Sequence, residues 1–387
     1  MDRARRWPVI SALGVVQIFT WGSSFYLLAV LADPVAKETG WPLTGIVGGL
    51  SLGLLVAAFA SPQVGASIHR YGGRPVLGLA AVLLALGLIV LGLAPSLPVF
   101  LVGWLVIGLG MGCGLYDPAY ATLGRLYGAD ARPAITALTL WGGFASTVCW
   151  PLSVHLVAHI GWRATCFAYA GLHLGVTLPL VLLLIPSASA SPTTPDIGRR
   201  AVTPLAAQER RLFLLFAGVL VLGGASMALV SVHLLTLLQG RGVPLASAVS
   251  YGAVIGPAQV AARLMEMAGK GRYHPLWTLT AATYLIALGL GLLAAGLPVV
   301  GLALVLYGGG NGIYSIARGT VPLALFGPVR YPALVGRLAR PGLIAQALAP
   351  PLGAFVLSHG GAGVLWIMLA LLALANLGLV GALRRTR

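Results

Sequence analysis

Arg263 and Arg340 are the residues with most chemical potential in this sequence, because both sit inside apolar runs. An ionised group at a bilayer centre costs about 2.5–3.5 kcal/mol on insertion scales, so a charge kept there is a functional candidate by default. If the run holding Arg340 enters a membrane near Ala333, the seven residues between them, at about 1.5 Å of rise each, place it roughly 10 Å inside. That is too deep for easy snorkelling, and Pro341 breaks the run directly afterwards. Arg263 reaches a similar depth if its run begins near Val249. A guanidinium grips a carboxylate through two parallel N–H bonds, so two at one depth would form an anion site. The alternative is that each satisfies backbone carbonyls at a helix break, or pairs with Asp117 or Glu266.

Other chemistry finds little support. The three cysteines, Cys113, Cys149 and Cys166, lie in apolar segments without metal-type spacing and read as buried free thiols. No Gly-rich phosphate loop, metal-spaced cluster or Ser-His-Asp candidate at a common depth is visible, which speaks against an enzyme, a cofactor or a metal. His155, His173 and His233 could titrate near neutral pH, yet a lone helical His reads first as a satisfied structural group.

The elements that must position these residues follow from composition. Of 387 residues, 58% are hydrophobic and 8% charged, against roughly 25% charged in soluble domains. Lipid must therefore be the solvent for most of the chain. About twenty apolar residues span the hydrocarbon core, and turn-rich breaks give twelve helices over 8–31, 43–67, 75–94, 98–124, 133–157, 164–185, 212–235, 245–267, 275–296, 298–318, 333–357 and 361–382. The basic, apolar start reads as the first membrane helix rather than a cleaved signal peptide. The net charge of +16 is spread as Arg between apolar runs, which argues for a bilayer partner and no nucleic acid. Basic residues concentrate on one set of loops, which puts both termini and the 186–211 linker in the cytoplasm of an inner-membrane protein.

The halves repeat at an offset near 200 residues. Gly22 with Trp41-Pro42 matches Gly224 with Val243-Pro244, and Arg70-Tyr71 falls on Arg272-Tyr273. Gly108, Gly110 and Gly112 match Gly308, Gly310 and Gly312; Gly128, Pro133, Pro151 and Gly161 match Gly327, Pro332, Pro350 and Gly360. Two parallel six-helix repeats describe the major facilitator fold: an all-α membrane protein with a bundle over 1–185, a linker over 186–211 and a second bundle over 212–387.

The loop after the second helix, Gly65-Ala66-Ser67-Ile68-His69-Arg70-Tyr71-Gly72-Gly73-Arg74-Pro75, resembles the major facilitator loop motif in the form used by monocarboxylate transporters and oxalate/formate antiporters. His69 stands where that motif has Asp, which in the family helps hold the cytoplasmic side shut, while Gly65, Arg70, Gly72 and Arg74 keep the pattern. The run from Gly108 to Pro118 is similar to that group's Gly-repeat helix. The eighth helix resembles monocarboxylate transporters in Arg263 but carries Gln259 where they show Asp. Pairing Arg263 with Arg340 resembles the basic pair of oxalate/formate antiporters. The G-P-x-x-G-G signature of drug/proton antiporters is absent from Trp141–Pro151.

The resemblance implies a cavity lined by helices 1, 4, 7 and 10. Gln17, Ser24 and Tyr26, Tyr116 and Tyr120, and Asn311 and Tyr314 then become substrate-contact candidates, although interhelical hydrogen bonding is the commoner role. Asp117 and Arg318 end helices 4 and 10 at nearly equivalent steps, where an ion pair would act as a gate; a proton-coupling Asp117 and a snorkelling Arg318 are the alternatives, with Glu266 a further coupling candidate. The expectation is a monomeric secondary transporter of small organic anions, carboxylates above all, working by alternating access through ion coupling or anion exchange. Efflux of amphipathic drugs or other small molecules is the alternative.

Overall fold

A computed structural model describes residues 3–187, 205–269 and 272–386. The sequence-predicted linker falls mainly on 188–204, outside the described residues. Helix dominates, and no strand occurs among the described residues.

Glycine sets where the helices end. Val300–Thr386 is helical over nearly all of its 87 residues, which as one straight helix would run about 130 Å, several times the hydrocarbon core. Gly327 (φ 72°) and Gly361 (φ 75°) interrupt it, since a left-handed residue ends a helix and only glycine adopts it without steric cost. Gly128 (φ 57°) and Gly161 (φ 75°) cut Leu97–Leu184 in the same way. Gly360 was matched to Gly161 in the repeat, but the left-handed residue is its neighbour Gly361.

With these breaks the described residues form twelve rods, labelled here in chain order: α1 3–39, α2 Leu43–Tyr71, α3 Gly73–Leu93, α4 97–127, α5 131–160, α6 162–184, α7 Ala207–Gln239, α8 245–268, α9 Pro275–Ala294, α10 300–326, α11 328–360 and α12 362–386. Several outrun their apolar cores. The first helix was expected over 8–31 but begins at Arg3 and, after a break, ends at Thr39. The seventh was expected over 212–235, but Glu209 accepts a bond from the Ala206 N–H at 3.0 Å, a carboxylate cap that extends the helix into polar sequence. Hydropathy marks the bilayer, not the helix end.

Contacts gather the chain into two units, Met1–Thr203 with Gly327–Arg340, and Pro204–Phe326 with Pro341–Arg387. The stretch 327–340 therefore clusters with the first unit although it was expected in the second bundle. Small residues explain this: a Cβ on Gly65 would lie 2.7 Å from the Pro332 carbonyl oxygen and 3.0 Å from the Gly336 Cα. Backbones of α2 and α11 touch only because neither carries a side chain there.

Within each unit the Gly repeat does the same work. A Cβ on Gly108 would meet the Gly53 carbonyl at 2.5 Å, and one on Gly312 would meet that of Gln259 at 2.5 Å. Gly110 is closed off by Leu84 on α3, and Gly310 by Ala282 and Ile286 on α9. The fourth helix of each set packs on its second and third through glycine. The three cysteines are buried and free.

Candidate functional site

Helix breaks converge on one place in the first unit. α1 leaves helical geometry over residues 23–27, where the Tyr26 N–H donates to the Trp21 carbonyl at 3.0 Å. Ser23 and Ser24 direct their hydroxyls back to the Phe19 and Thr20 carbonyls, at 2.7 and 2.5 Å, and such back-bonding bends helices. Ser23 also bonds His173 Nε2 at 2.7 Å. His173 opens the π-helical turn His173–Thr177 of α6, and its Nδ1 lies 3.0 Å from the Thr177 hydroxyl. α4 breaks at Leu115, which is extended, and Gln17 Nε2 donates to the Gly114 carbonyl at 2.7 Å. The carbonyl freed by the break thus finds a side-chain donor from α1, as a membrane interior requires.

Around these breaks six aromatic rings form a continuous cluster. Trp21 lies 5.4, 5.9 and 5.1 Å from Phe25, Tyr26 and Tyr116 between ring centres. Tyr26 meets Trp150 of α5 edge-on at 5.9 Å, and Tyr116 stacks on Tyr120 at 5.2 Å and 8°. Trp21 Nε1 donates to Gln17 Oε1 at 3.1 Å, locking the indole. Phe25, Tyr26 and Tyr116 are half-buried and Trp150 is 45% exposed. Of the sequence-predicted contacts Gln17, Ser24, Tyr26, Tyr116 and Tyr120, the structure thus gathers all five. Gln17 and Ser24 are fully buried and bonded to backbone. Trp21, Phe25 and Trp150 were not singled out in the sequence; the Trp-Gly-Ser-Ser-Phe-Tyr run at 21–26 was the available signal.

The second unit is built differently. Arg263 on α8 is 5% exposed, and its Nε donates to the Gly312 carbonyl at 3.2 Å. It can reach that backbone because Gly312 presses against Gln259, one turn earlier on α8. Gln259 and Asn311 are half-buried. Glu266 accepts from the Thr278 hydroxyl at 2.8 Å. Tyr314 is buried, and its hydroxyl donates to the Val219 carbonyl at 2.9 Å, the interhelical role named as its alternative.

Arg340 is exposed, at the end of the α11 stretch that clusters with the first unit. Its guanidinium lies 4.9 Å from the Phe59 ring centre on α2, a cation–π contact, and it makes no ion pair among the described residues. Arg340 and Arg263 therefore belong to different units, not to one C-terminal set. Asp117 is buried just past the α4 break, and Arg318 is half-buried on α10.

In the loop motif, Gly72 has φ 88° and turns the chain between α2 and α3. Arg70 stacks on Tyr71 at 5.0 Å, and Arg74 is half-buried. His69, past the apolar stretch, has its pKa lowered by burial and by the Arg125 charge, so it is neutral at neutral pH.

The chain's similarity to known proteins agrees with this architecture. It is 30% identical over 375 residues to human monocarboxylate transporter 11, covering 91% of this chain and 76% of that protein. It is 28% identical over 377 residues to an uncharacterized 38 kDa protein of the 23S RNA operon of Thermoproteus tenax, covering 97% and 94%. Among solved structures, the human organic anion transporter MFSD10 superposes with a TM-score of 0.73 at 19% identity, covering 98% of this chain and all of that one. The proton:xylose symporter XylE superposes at 0.71 and 12% identity, covering 97% and 95%. Residues 13–336 match the family pattern itself, and the chain is a multi-pass membrane transporter of the Major Facilitator Superfamily.

Proposed function

We propose that the protein is a secondary transporter of small organic anions, carboxylates first among them, working by alternating access. The carrying observation is Arg263: a guanidinium buried in an apolar membrane helix, with its Nε anchored on the Gly312 carbonyl. A cation held there at such cost is worth keeping if it meets an anion. Arg340, stacked on Phe59 and outside any ion pair among the described residues, supplies a second cation. Relatives named monocarboxylate transporters support the same reading. In this proposal Asp117 and Arg318 act as a gate, transport is coupled to an ion or runs as anion exchange, and both termini face the cytoplasm of an inner membrane.

The aromatic cluster favours the second reading, efflux of amphipathic compounds, if ring stacking alone suffices for binding. Counterflow in liposomes loaded with unlabelled mono- or dicarboxylates distinguishes the two. Carboxylates are expected to drive accumulation of labelled anion while neutral amphipaths do not. Counterflow with neutral compounds alone would overturn the anion reading.

A further inference from the structure

We infer that the aromatic cluster of the first unit is a ring-binding subsite, so that the preferred substrates are monocarboxylates bearing an aromatic ring rather than short aliphatic acids. The inference rests on the carboxylate reading above and adds to it a preference for the group that the carboxylate carries.

Three interrupted helices meet at this cluster: α1 over residues 23–27, α4 at Leu115 and α5 at Phe144, where the φ/ψ of −85° and −1° leaves the helical ladder. Membrane transporters build substrate sites from such discontinuous helices, because irregular backbone inside a bilayer is tolerated only where protein buries it or a cavity lies beside it. Each break delivers aromatic side chains: Phe25 and Tyr26 lie within the first, Tyr116 follows the second by one residue, and Trp150 lies two turns past the third.

The rings are also held in an arrangement suited to receiving another. Tyr116 stacks flat on Tyr120, which is fully buried and acts as a backing plate, leaving Tyr116 half-buried. Trp21 is fixed from behind by Gln17, which is itself fixed on the α4 carbonyl. Phe25 and Tyr26 stand near-perpendicular, at 88°, and Tyr26 meets Trp150 at 81°. Edge-on pairs of this sort accept a further ring by offset or T-shaped contact. A core would have been cheaper to fill with aliphatic side chains, whereas four rings here keep part of their surface uncovered. An aliphatic acid gains from these rings little that lipid would not give, while an aryl group gains directional contacts.

The test is thermal stabilisation and direct binding with purified full-length protein, using acetate, phenylacetate and the neutral phenylacetamide as probes. Phenylacetate is expected to bind at least about tenfold more tightly than acetate, with phenylacetamide weakest of the three. Phe25→Leu and Tyr26→Leu should each lower the phenylacetate-to-acetate affinity ratio roughly threefold to tenfold. The melting midpoint of each unliganded variant verifies that it remains folded, and Trp150→Leu repeats the measurement at a more exposed ring. Equal affinity for acetate and phenylacetate, or a ratio unmoved by the three variants, overturns the ring subsite and leaves the carboxylate reading intact. Equal binding of phenylacetate and phenylacetamide overturns the carboxylate reading and leaves the ring subsite standing. Binding of none of the three overturns both.

Discussion

Ser61 on α2 and Arg263 on α8 occupy the same step of the internal repeat, 202 residues apart, as do Gly53 and Ile255 or Ala57 and Gln259, which contact equivalent glycines. Ser61 is buried, and its hydroxyl donates to the Ala58 carbonyl of its own helix. Arg263 reaches across to α10. The aromatic cluster inverts this contrast. At the same offset, Trp21, Phe25 and Tyr26 correspond to Gly223, Met227 and Ala228; at an offset of 200, Tyr116 and Tyr120 correspond to Ile316 and Thr320. One backbone plan thus carries rings in the first half and a cation in the second. The repeat kept the helices alike, while the side chains at equivalent steps diverged.

Removing the cation should have the largest effect. Arg263→Gln is expected to lower carboxylate transport by at least about thirtyfold while the protein still inserts and elutes as a folded species, since truncating a buried charged contact costs at least about 2 kcal/mol. Arg263→Lys keeps charge but loses the planar fork and should recover only part of it. Transport that survives Arg263→Gln would mean that the charge asymmetry between the halves is structural, a guanidinium serving backbone carbonyls.

Overpacking the shared glycine contacts comes next. Gly308→Ala puts a methyl group against the Ile255 carbonyl, and Gly108→Ala does the same against that of Gly53; each should destabilise by about 1–3 kcal/mol. Comparable losses in melting temperature would show that the two halves use this packing alike. A much smaller loss at Gly308 would show that α8, of which only Ala248 and Arg263 are fully buried, yields more readily than α2.

A subtler contrast lies at the junction of the first and fourth helices of each set. In the first half the side chain comes from the first helix, Gln17 donating to the Gly114 carbonyl of α4. In the second half the equivalent positions are Val219 and Tyr314, and here the side chain comes from the fourth helix, Tyr314 donating to the Val219 carbonyl. The same pair of positions is bridged in opposite directions. Gln17→Leu leaves the carbonyls at the α4 break without their donor and frees Trp21, and should cost about 1–3 kcal/mol. Tyr314→Phe leaves a carbonyl still within a continuous helix and should cost nearer 0.6 kcal/mol, the average for hydrogen bonds between membrane helices. Equal losses would deny that the α4 break is what makes Gln17 important.

Much of this was readable from residue type. Glycine marked the chain turns, and their matched spacing revealed the repeat, because left-handed backbone at Gly128 and Gly327 admits no other residue cheaply. Arg263 declared itself by its cost. The aromatic cluster did not, since Tyr26 and Trp150 are 124 residues apart and a helix apolar on every side gives no periodic signal of which way it faces. Nor did the placement of Arg340 with the first unit, which depends on two glycines, Gly65 and Gly336, removing the side chains that would keep α2 from α11. Hydropathy finds spans, and small residues decide which spans touch.

The smallest expected effect concerns the loop motif, where the halves again differ: His69 at the end of α2 corresponds in sequence to Gly271, while Arg70-Tyr71 corresponds to Arg272-Tyr273. His69 has its folded-state pKa lowered from 6.5, first by burial and then by the neighbouring Arg125 charge. The unfolded chain therefore takes up a proton at higher pH than the folded one. Stability is full above pH 6.5 and declines as pH falls below it, because the unfolded state binds more protons. An Asp at this position would attract Arg125 where His69 does not, and would lose that pairing only at lower pH, as its carboxylate protonates. His69→Asn should flatten the decline in melting temperature below pH 6.5 without changing the value at pH 8. His69→Asp should raise the melting temperature at pH 8 by attracting Arg125. A pH profile that His69→Asn leaves unchanged would place the acid sensitivity elsewhere, and an unaltered melting temperature for His69→Asp would mean that the Arg125 charge is screened from this position.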